Sequence, residues 1–195
     1  MRRIIDIILA LTGLVILFPL LLIISIGIIF SSGLPVFYIQ QRVGKNNKDF
    51  GLIKFRTMRP DADREGLITV GEDDNRITKA GRFLRKYKLD ELPQLINILK
   101  GDMGFVGPRP EVRKYVDLYN AEQMKVLNIR PGLTDPASIA YLQENKMLQS
   151  FEDPEKAYIE IIMPAKLALT IQYIEKRNIR RDFRIMWSTI IYILK

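Results

Sequence analysis

The sequence predicts a mostly helical α+β protein, in which an N-terminal membrane helix precedes a compact domain of short strands and amphipathic helices. Residues 4–30 are almost entirely apolar, and such a run is long enough to enter a lipid bilayer. Two segments between residues 34 and 58 alternate weakly between apolar and polar side chains, and later segments place apolar residues at helical spacing. We therefore divide the chain into a membrane helix, residues 1–33, and a second domain, residues 34–195.

The membrane helix contains a proline near its middle and has basic residues at both ends. Pro19 removes a helical hydrogen bond and bends the helix. Arg2 and Arg3 precede the apolar run, and Arg42 and Lys45 are among the basic residues that follow it. The positive-inside rule then places both ends in the cytoplasm. A helix that enters, breaks at Pro19 and returns on the same side satisfies both observations, whereas a kinked single span is the alternative.

Two short strands are predicted at the start of the second domain, over residues 34–41 and 50–58, with a turn at residues 44–47. Lys54 and Arg56 lie two residues apart in the second strand, so they share one face. These two side chains either line an anionic site or are simply solvated.

Helical spacing predicts the next elements. A polar, mobile loop over residues 61–75 leads to a basic amphipathic helix over residues 78–87, with Ala80, Phe83, Leu84 and Tyr87 as its apolar positions. Further helices are predicted over residues 111–128 and 153–177, the latter bent at Pro164.

The C-terminal tail, residues 182–195, combines aromatic and aliphatic side chains with basic ones. Trp187 and Tyr192 in such a helix fit the membrane interface. An ordinary core helix explains the same pattern equally well.

Composition limits the chemistry that this chain can perform. The 195 residues include no Cys and no His, which excludes thiol nucleophiles, disulfides, imidazole catalysis and the usual zinc sites. A metal ion would need oxygen ligands, so Mg²⁺ is the candidate. The net charge of +8 favours anionic partners, namely nucleic acid, a phospholipid surface or phosphorylated metabolites.

An acidic pair, Asp90 and Glu91, follows a basic segment. Asp90 is predicted to cap a helix that ends at Gly101, with Leu92, Leu95, Ile96 and Leu99 as its buried stripe. Acids at helix starts are common for capping alone. Here, however, the neighbouring basic residues would keep Asp90 ionised and attract a phosphate. These neighbours are Arg82, Arg85, Lys86 and Lys88. An ionised carboxylate facing a Mg²⁺-neutralised pyrophosphate could attack phosphorus.

Two arginines lie beside rigid turn residues. Arg109, between Pro108 and Pro110, has a stiff backbone that suits a bidentate phosphate clamp. Arg130 precedes Pro131 in a similar setting. In both cases the alternative is an arginine in an ordinary surface turn.

Taken together, these motifs closely resemble those of the small bacterial sugar transferases, the monotopic phosphoglycosyl transferases. The resemblance covers almost the whole chain, and so many motifs in one order are highly specific. They are RRIID at 2–6, QRVG at 41–44, KFRTM at 54–58, DNRIT at 74–78, GRFLR at 81–85, LDELPQL at 89–95, KGDM at 100–103, VGPRP at 106–110 and RPGLT at 130–134.

The resemblance implies transfer of a sugar 1-phosphate from a nucleoside-diphosphate sugar, usually a UDP-sugar, to a polyprenyl phosphate such as undecaprenyl phosphate. Asp90 would be the nucleophile of a ping-pong cycle, and Asp90 and Glu91 would work with Mg²⁺, or with Mn²⁺ as the alternative. Residues expected to bind substrate or phosphate are Lys54, Arg56, Arg76, Arg85, Pro108, Arg109, Pro110 and Arg130.

The resemblance also implies a location. The membrane helix would be re-entrant at Pro19, with the catalytic domain on the cytoplasmic face of the bacterial inner membrane. Expected partners are the lipid phosphate, the nucleotide-sugar and the bilayer, with no nucleic acid. A homo-oligomer is left open.

Two departures from the family pattern stand out. Phe18 occupies the position before Pro19 where many members have serine, and Asp135 with Pro136 replaces a common Gly-Trp pair near the expected sugar pocket. A different class of function also fits the charge: a membrane-tethered basic protein that binds anionic lipid or nucleic acid. That alternative leaves Asp90 and Glu91 without a role.

Overall fold

The apolar N-terminal segment forms one long helix, α1 (Arg2–Ser32). The computed structural model describes residues 1–62, 66, 68–71 and 74–193. Helix α1 has a mean hydropathy of 3.1 and is long and apolar enough to cross a membrane. Its helical structure continues through Pro19, and it ends at Gly33, whose φ of 74° favours glycine. The re-entrant path therefore stays a prediction.

Both ends of α1 are attached to the second domain. Arg3 donates hydrogen bonds to the carbonyls of Ile98 and Leu99, the latter at 3.0 Å. At the other end Arg56 donates to the carbonyl of Ser32 at 2.6 Å. Between these points α1 buries Ala10 and Ile28 against the domain. The helix thus lies along the domain rather than projecting away from it.

Two pairs of strands support the domain. Strands β1 (Phe37–Val43) and β2 (Asp49–Phe55) pair antiparallel, which confirms the two predicted strands, although the second ends at residue 55 rather than 58. A tight turn over residues 45–47 joins them. Strands β3 (Gly104–Val106) and β4 (Gly132–Thr134) form a parallel pair that the sequence did not predict. Gly132 is required there, because a Cβ would lie 2.1 Å from the Gly107 nitrogen.

Helices make up most of the remaining structure, as predicted. They are α2 (Lys79–Lys86), α3 (Gln94–Lys100), α4 (Arg113–Val116), α5 (Pro136–Ala140), α6 (Glu144–Gln149), α7 (Pro154–Ala157), α8 (Met163–Glu175) and α9 (Ile179–Ile193). Short 3₁₀ turns occur at Leu89–Glu91 and Gln123–Asn128, and a π-helical segment, Tyr158–Ile162, joins α7 to α8.

The structure corrects two of the helix predictions. The helix expected over residues 111–128 is broken, because Asn120 and Gln123 cap each other's backbone N–H at 2.9 Å and start a new 3₁₀ turn. In α2, which Thr78 caps, Leu84 is buried but the predicted apolar positions Phe83 and Tyr87 are exposed. The polar loop predicted over residues 61–75 lies partly outside the described residues.

The two C-terminal helices differ in how they use their apolar side chains. The segment Pro154–Glu175 is helical, as predicted, and its Ile162 and Leu167 are buried in the largest core cluster. The bend expected at Pro164 stays a prediction. In α9, by contrast, Phe183 and Trp187 are 48% and 66% exposed. The core interpretation of the tail is therefore wrong, and the described part of α9 presents an apolar surface outward.

Candidate active site

A cleft of about 2100 Å³ runs across the domain, and the acidic pair lies on its wall. Side chains from β2, the Leu89–Glu91 turn, the segment 108–111, α5, α6, α8 and α9 line the cleft. The site therefore draws on parts of the chain that are far apart in sequence.

Asp90 is buried in this wall without a hydrogen bond at one of its oxygens. Lys88, at a left-handed φ of 54°, turns the chain into the 3₁₀ turn that carries Asp90. Asp90 Oδ1 has no hydrogen-bond partner among the described residues. Burial, and then the negative charge of Glu91, raise the pKa of Asp90 above its usual range, although Lys54, Lys88 and Arg85 oppose the shift.

Two expectations about Asp90 are thus wrong. Asp90 does not cap a helix, because α3 begins only at Gln94, after Pro93, and no side chain caps it. The basic neighbours also do not dominate the pKa of Asp90, because the loss of hydration on burial outweighs their attraction. The predicted end of α3 at Gly101 is confirmed, while its most buried apolar residue is Ile98, which was not among the four predicted.

Glu91 has a strong partner in Arg109. Arg109 Nη2 donates to Glu91 Oε1 at 2.6 Å, and Nη1 approaches Oε2 at 3.4 Å, so the pair is nearly bidentate. Burial alone would raise the pKa of Glu91, but Arg109, Lys54 and Lys88 outweigh it and hold that pKa far below its usual value. The pKa values of these two adjacent carboxylates therefore shift in opposite directions. Glu91 is ionised and paired with Arg109, whereas Asp90 is desolvated.

Further cations border the pair. Burial, helped by Arg109 and Arg42, lowers the pKa of Lys54 to about 8, against the attraction of Glu91 and Asp90. Arg85 donates to the hydroxyls of Thr57 at 2.9 Å and Thr69 at 3.2 Å, and the charges of both carboxylates act on it. Cations thus outnumber carboxylates here, which suits a phosphate-bearing ligand.

The predicted site residues that meet around the cleft are Lys54, Arg56, Arg76, Arg85, Asp90, Glu91, Pro108, Arg109 and Pro110. Lys88, mentioned only as a basic neighbour from the sequence, acts on both carboxylates. No sequence signal identified its left-handed conformation, which is uncommon for a lysine.

Arg56 and Arg76 line the cleft and are also held by contacts within the fold, and their phosphate-binding role stays a prediction. Arg56 is buried against the end of α1, where it donates to the carbonyls of Ser32 at 2.6 Å and Leu34 at 2.7 Å. Arg76 pairs with Asp74 and donates to the carbonyl of Ile68 at 2.7 Å, which organises the loop before α2.

Arg130 also lies away from the acidic pair. Its Nε donates to the carbonyl of Gly101 at 2.9 Å, at the opposite end of α3 from Asp90. Of the two arginines beside rigid turns, Arg109 thus lies beside the acidic pair and Arg130 does not, and the phosphate-binding role of each stays a prediction.

The unusual Asp135–Pro136 pair proves to be a helix start. Asp135 is fully buried; its Oδ1 accepts from the Ser138 N–H at 2.7 Å and its Oδ2 from the Thr170 hydroxyl at 2.9 Å. Pro136 occupies the first turn of α5, where proline is tolerated. Both residues match the helix-start signature that the sequence already carried, and they fix one wall of the cleft to α8.

The donor set of the acidic pair is compatible with Mg²⁺. Among residues 1–62, 66, 68–71 and 74–193 no group of three acidic side chains converges on one point. Mg²⁺ nevertheless often uses one or two carboxylates and completes its shell with substrate phosphates and water. The unbonded Asp90 oxygen and the remaining lone pairs of Glu91 fit that pattern.

The family model described as "Bacterial sugar transferase" matches residues 1–195. Among curated proteins, the chain is 38% identical over 143 residues to the UDP-N-acetylgalactosamine-undecaprenyl-phosphate N-acetylgalactosaminephosphotransferase of Aeromonas hydrophila, covering 72% of this chain and 34% of that protein. The chain thus spans only about a third of that relative.

Two other relatives match over nearly the whole chain. The UDP-glucose:undecaprenyl-phosphate glucose-1-phosphate transferase of Caulobacter vibrioides is 33% identical over 192 residues, which are 97% of this chain and 68% of that protein. The exopolysaccharide production protein ExoY of Rhizobium meliloti is 33% identical over 204 residues. The match covers 97% of this chain and 83% of the Rhizobium protein.

Proposed function

Because this chain belongs to the bacterial sugar transferase family, we propose that it transfers a sugar 1-phosphate from a nucleoside-diphosphate sugar to a polyprenyl phosphate. The donor is a UDP-sugar and the acceptor undecaprenyl phosphate, as the names of the Aeromonas and Caulobacter relatives suggest. The products are polyprenyl-diphosphate-sugar and UMP, and the reaction begins the assembly of a surface glycan.

The observation that carries the proposal is the unequal environment of the two adjacent carboxylates. Glu91 is neutralised by Arg109 at 2.6 Å, while Asp90 Oδ1 is buried with no donor on it. A carboxylate that no hydrogen bond stabilises is more basic and hence more nucleophilic. A purely basic binding surface gives no reason to bury two carboxylates among cations, so we do not favour the membrane-tethered binding protein.

The proposed cycle has two displacements at one phosphorus atom. An Asp90 carboxylate oxygen forms a bond to the phosphorus that carries the sugar, and the bond to the bridging oxygen breaks, so UMP leaves with the electron pair. A phosphate oxygen of the lipid then attacks the same phosphorus and releases the Asp90 carboxylate. Lys54, Arg85 and Arg109 offset the negative charge of the diphosphate during both steps.

Mg²⁺ is the proposed cofactor, with Mn²⁺ as the alternative. Asp90 and Glu91 would hold it together with the donor phosphates, and the ion would stabilise the charge on the leaving UMP. The residues of this chain would still orient the donor, because the charges of Lys54, Lys88 and Arg85 act at the Asp90 carboxylate.

We propose that the chain lies on the cytoplasmic face of the membrane, with α1 re-entrant. A straight helix of 31 residues would be about 46 Å long, well beyond the roughly 30 Å of the hydrocarbon layer. Both ends of α1 are hydrogen-bonded to the same domain. A perpendicular span would draw that domain, with its charged cleft, into the lipid, which is costly. A shallow entry and return avoids that cost.

Release of UMP tests the reaction. Purified chain in nanodiscs receives undecaprenyl phosphate, Mg²⁺ and UDP-sugars one at a time. We expect UMP with at least one sugar, dependent on the lipid and lost on chelation. Failure of every UDP-sugar and of other nucleoside-diphosphate sugars would contradict the proposed function.

The covalent intermediate has its own test. If Asp90 forms it, labelled UMP should exchange into the UDP-sugar without any acceptor lipid. Lipid-dependent turnover without such exchange would contradict the ping-pong mechanism and indicate direct transfer between the two substrates.

A further inference from the structure

Arg42, part of the QRVG motif that the proposed reaction leaves without a role, holds the segment that carries Arg109. Arg42 Nη1 donates to the Pro110 carbonyl at 3.1 Å and to Glu111 Oε1 at 2.9 Å. The Gln40 side-chain oxygen accepts from the other nitrogens of the same guanidinium at 2.8 and 3.1 Å. The guanidinium is therefore fixed on one side by β1 and on the other by residues 110 and 111.

Glu111 completes this arrangement from the opposite side. Its Oε2 accepts a hydrogen bond from the Tyr158 hydroxyl, and its Oε1 also accepts from the Val112 N–H at 2.7 Å. Tyr158 is buried in the π-helical segment, and its ring packs against Tyr115 with centroids 5.0 Å apart. Glu111 lines the cleft, but its carboxylate already accepts from Arg42, Val112 and Tyr158, which suits a positioning role.

The segment needs such support because of its two prolines. Pro108 and Pro110 have no N–H, so two of the three residues 108–110 cannot donate a backbone hydrogen bond. The segment is held through its acceptors instead: the Pro108 carbonyl accepts from the Gly132 N–H at 3.0 Å, and the Pro110 carbonyl from Arg42. Removing the Glu111 charge would weaken the hold of Arg42 on this segment.

We propose that Glu111 is a positioning residue, which together with Arg42 and Tyr158 fixes the Arg109 segment so that Arg109 stays paired with Glu91 at the cleft. This inference rests on the proposed function. A displacement of about 1 Å in such a clamp can cost up to about a hundredfold in rate. Glu111 would thereby affect catalysis through Arg109.

The test is a double-mutant cycle with UMP release as the readout. Glu111→Gln should lower kcat/KM for the donor by about ten- to a hundredfold and raise KM for the donor. If Glu111 acts through Arg109, the same substitution in an Arg109→Gln background should change the residual kcat/KM by less than about twofold. An unchanged kcat/KM in Glu111→Gln, or an equal loss in both backgrounds, would overturn the proposal.

Glu155→Gln is the matched control. Glu155 accepts from the Tyr115 hydroxyl at 3.0 Å, so it forms the same kind of bond on the neighbouring ring, but its described hydrogen bonds are only to Lys114 and Tyr115. The Glu155→Gln substitution should leave kcat/KM and the donor KM unchanged. Tyr158→Phe, which removes only the hydroxyl, should reproduce the direction of Glu111→Gln; no effect on kcat/KM would exclude Tyr158 from the proposed arrangement.

A second cycle is independent of catalysis. Glu111→Gln and Glu91→Gln both loosen Arg109, so their effects on the free energy of unfolding should be non-additive. Additive effects would overturn the positioning role even if the chain released no UMP from any donor. Absence of UMP release by the unmodified chain, with coupling present in this stability cycle, would instead contradict only the proposed function.

Discussion

Arg109 Nη2 lies 2.6 Å from Glu91 Oε1, while Oδ1 of the preceding residue, Asp90, is buried with no hydrogen-bond partner. The Arg109 guanidinium thus pairs with only one of two carboxylates that are adjacent in sequence, and the pKa values of the two shift in opposite directions. The paired carboxylate is stabilised in its ionised form, whereas the unpaired one is destabilised by burial. This asymmetry leads to opposite predictions for the two side chains.

Asp90→Asn should abolish UMP release and yet raise the melting temperature at pH 7. Burial raises the pKa of Asp90, so its ionised form destabilises the fold once the pH exceeds the unfolded carboxyl pKa. The amide removes that cost, and about 1 kcal/mol corresponds to roughly 2–4 °C for a domain of this size. Thermal unfolding at pH 7 and pH 4 measures the effect, which should shrink at the lower pH. Asp117→Asn, at an exposed aspartate, is the control.

Glu91→Gln should lower the melting temperature at pH 7. Arg109 holds the pKa of Glu91 far below its usual range, so the ion pair contributes stability above the unfolded carboxyl pKa, near 4.3. That contribution is lost as the pH falls through the folded pKa. The difference between variant and unmodified chain should therefore narrow below about pH 4. A variant as stable as the unmodified chain at pH 7 would argue against a significant ion pair.

Lys54 should produce a basic limb in the pH–rate profile. Its pKa is lowered to about 8, so its positive charge is present below that pH and is lost above it. We expect kcat/KM, which reports the free enzyme, to fall as the pH rises through about 8. Lys54→Arg keeps the charge and should move this limb to higher pH, whereas Lys114→Arg, on the exposed surface, should not. An unchanged limb in Lys54→Arg would assign it to another group.

Trp187 allows a direct test of whether the exposed apolar surface of α9 contacts the membrane. It is the only tryptophan of the chain, and it is 66% exposed. In nanodiscs its emission should shift to the blue and be quenched by brominated lipids, because tryptophan favours the interfacial region. Strong quenching by aqueous iodide without quenching by brominated lipid would place α9 in water instead.

The topology of α1 can be tested with single cysteines, because the chain contains none. A cysteine in a short polar extension before Met1, and one at the exposed Lys114 (Lys114→Cys), should both react with an impermeant maleimide only after the cytoplasmic side is opened. Labelling of the N-terminal extension in intact cells would contradict the re-entrant path. Pro19→Ala should then move the N-terminus toward the outer face if the proline determines the topology, although the Arg3 hydrogen bonds oppose this movement.

Local sequence patterns were sufficient to predict much of the secondary structure of this protein. Hydrophobic run length identified α1, helical spacing identified α2 and the segment Pro154–Glu175, and short alternation identified β1 and β2. These features depend on neighbours within a few residues, which is why periodicity and turn chemistry suffice. The ordered motifs also indicated the family, because so many spacings agree at once.

Only the tertiary structure decided what each charged side chain does. Arg56 and Arg109 look alike in sequence as phosphate ligands, but one holds the end of α1 and the other pairs with Glu91, 18 residues away. Likewise, Asp90 was expected to be ionised among cations, whereas burial raises its pKa. The reason is physical: hydration loss and ion pairing depend on which distant segments cover a group, and no local pattern records that packing.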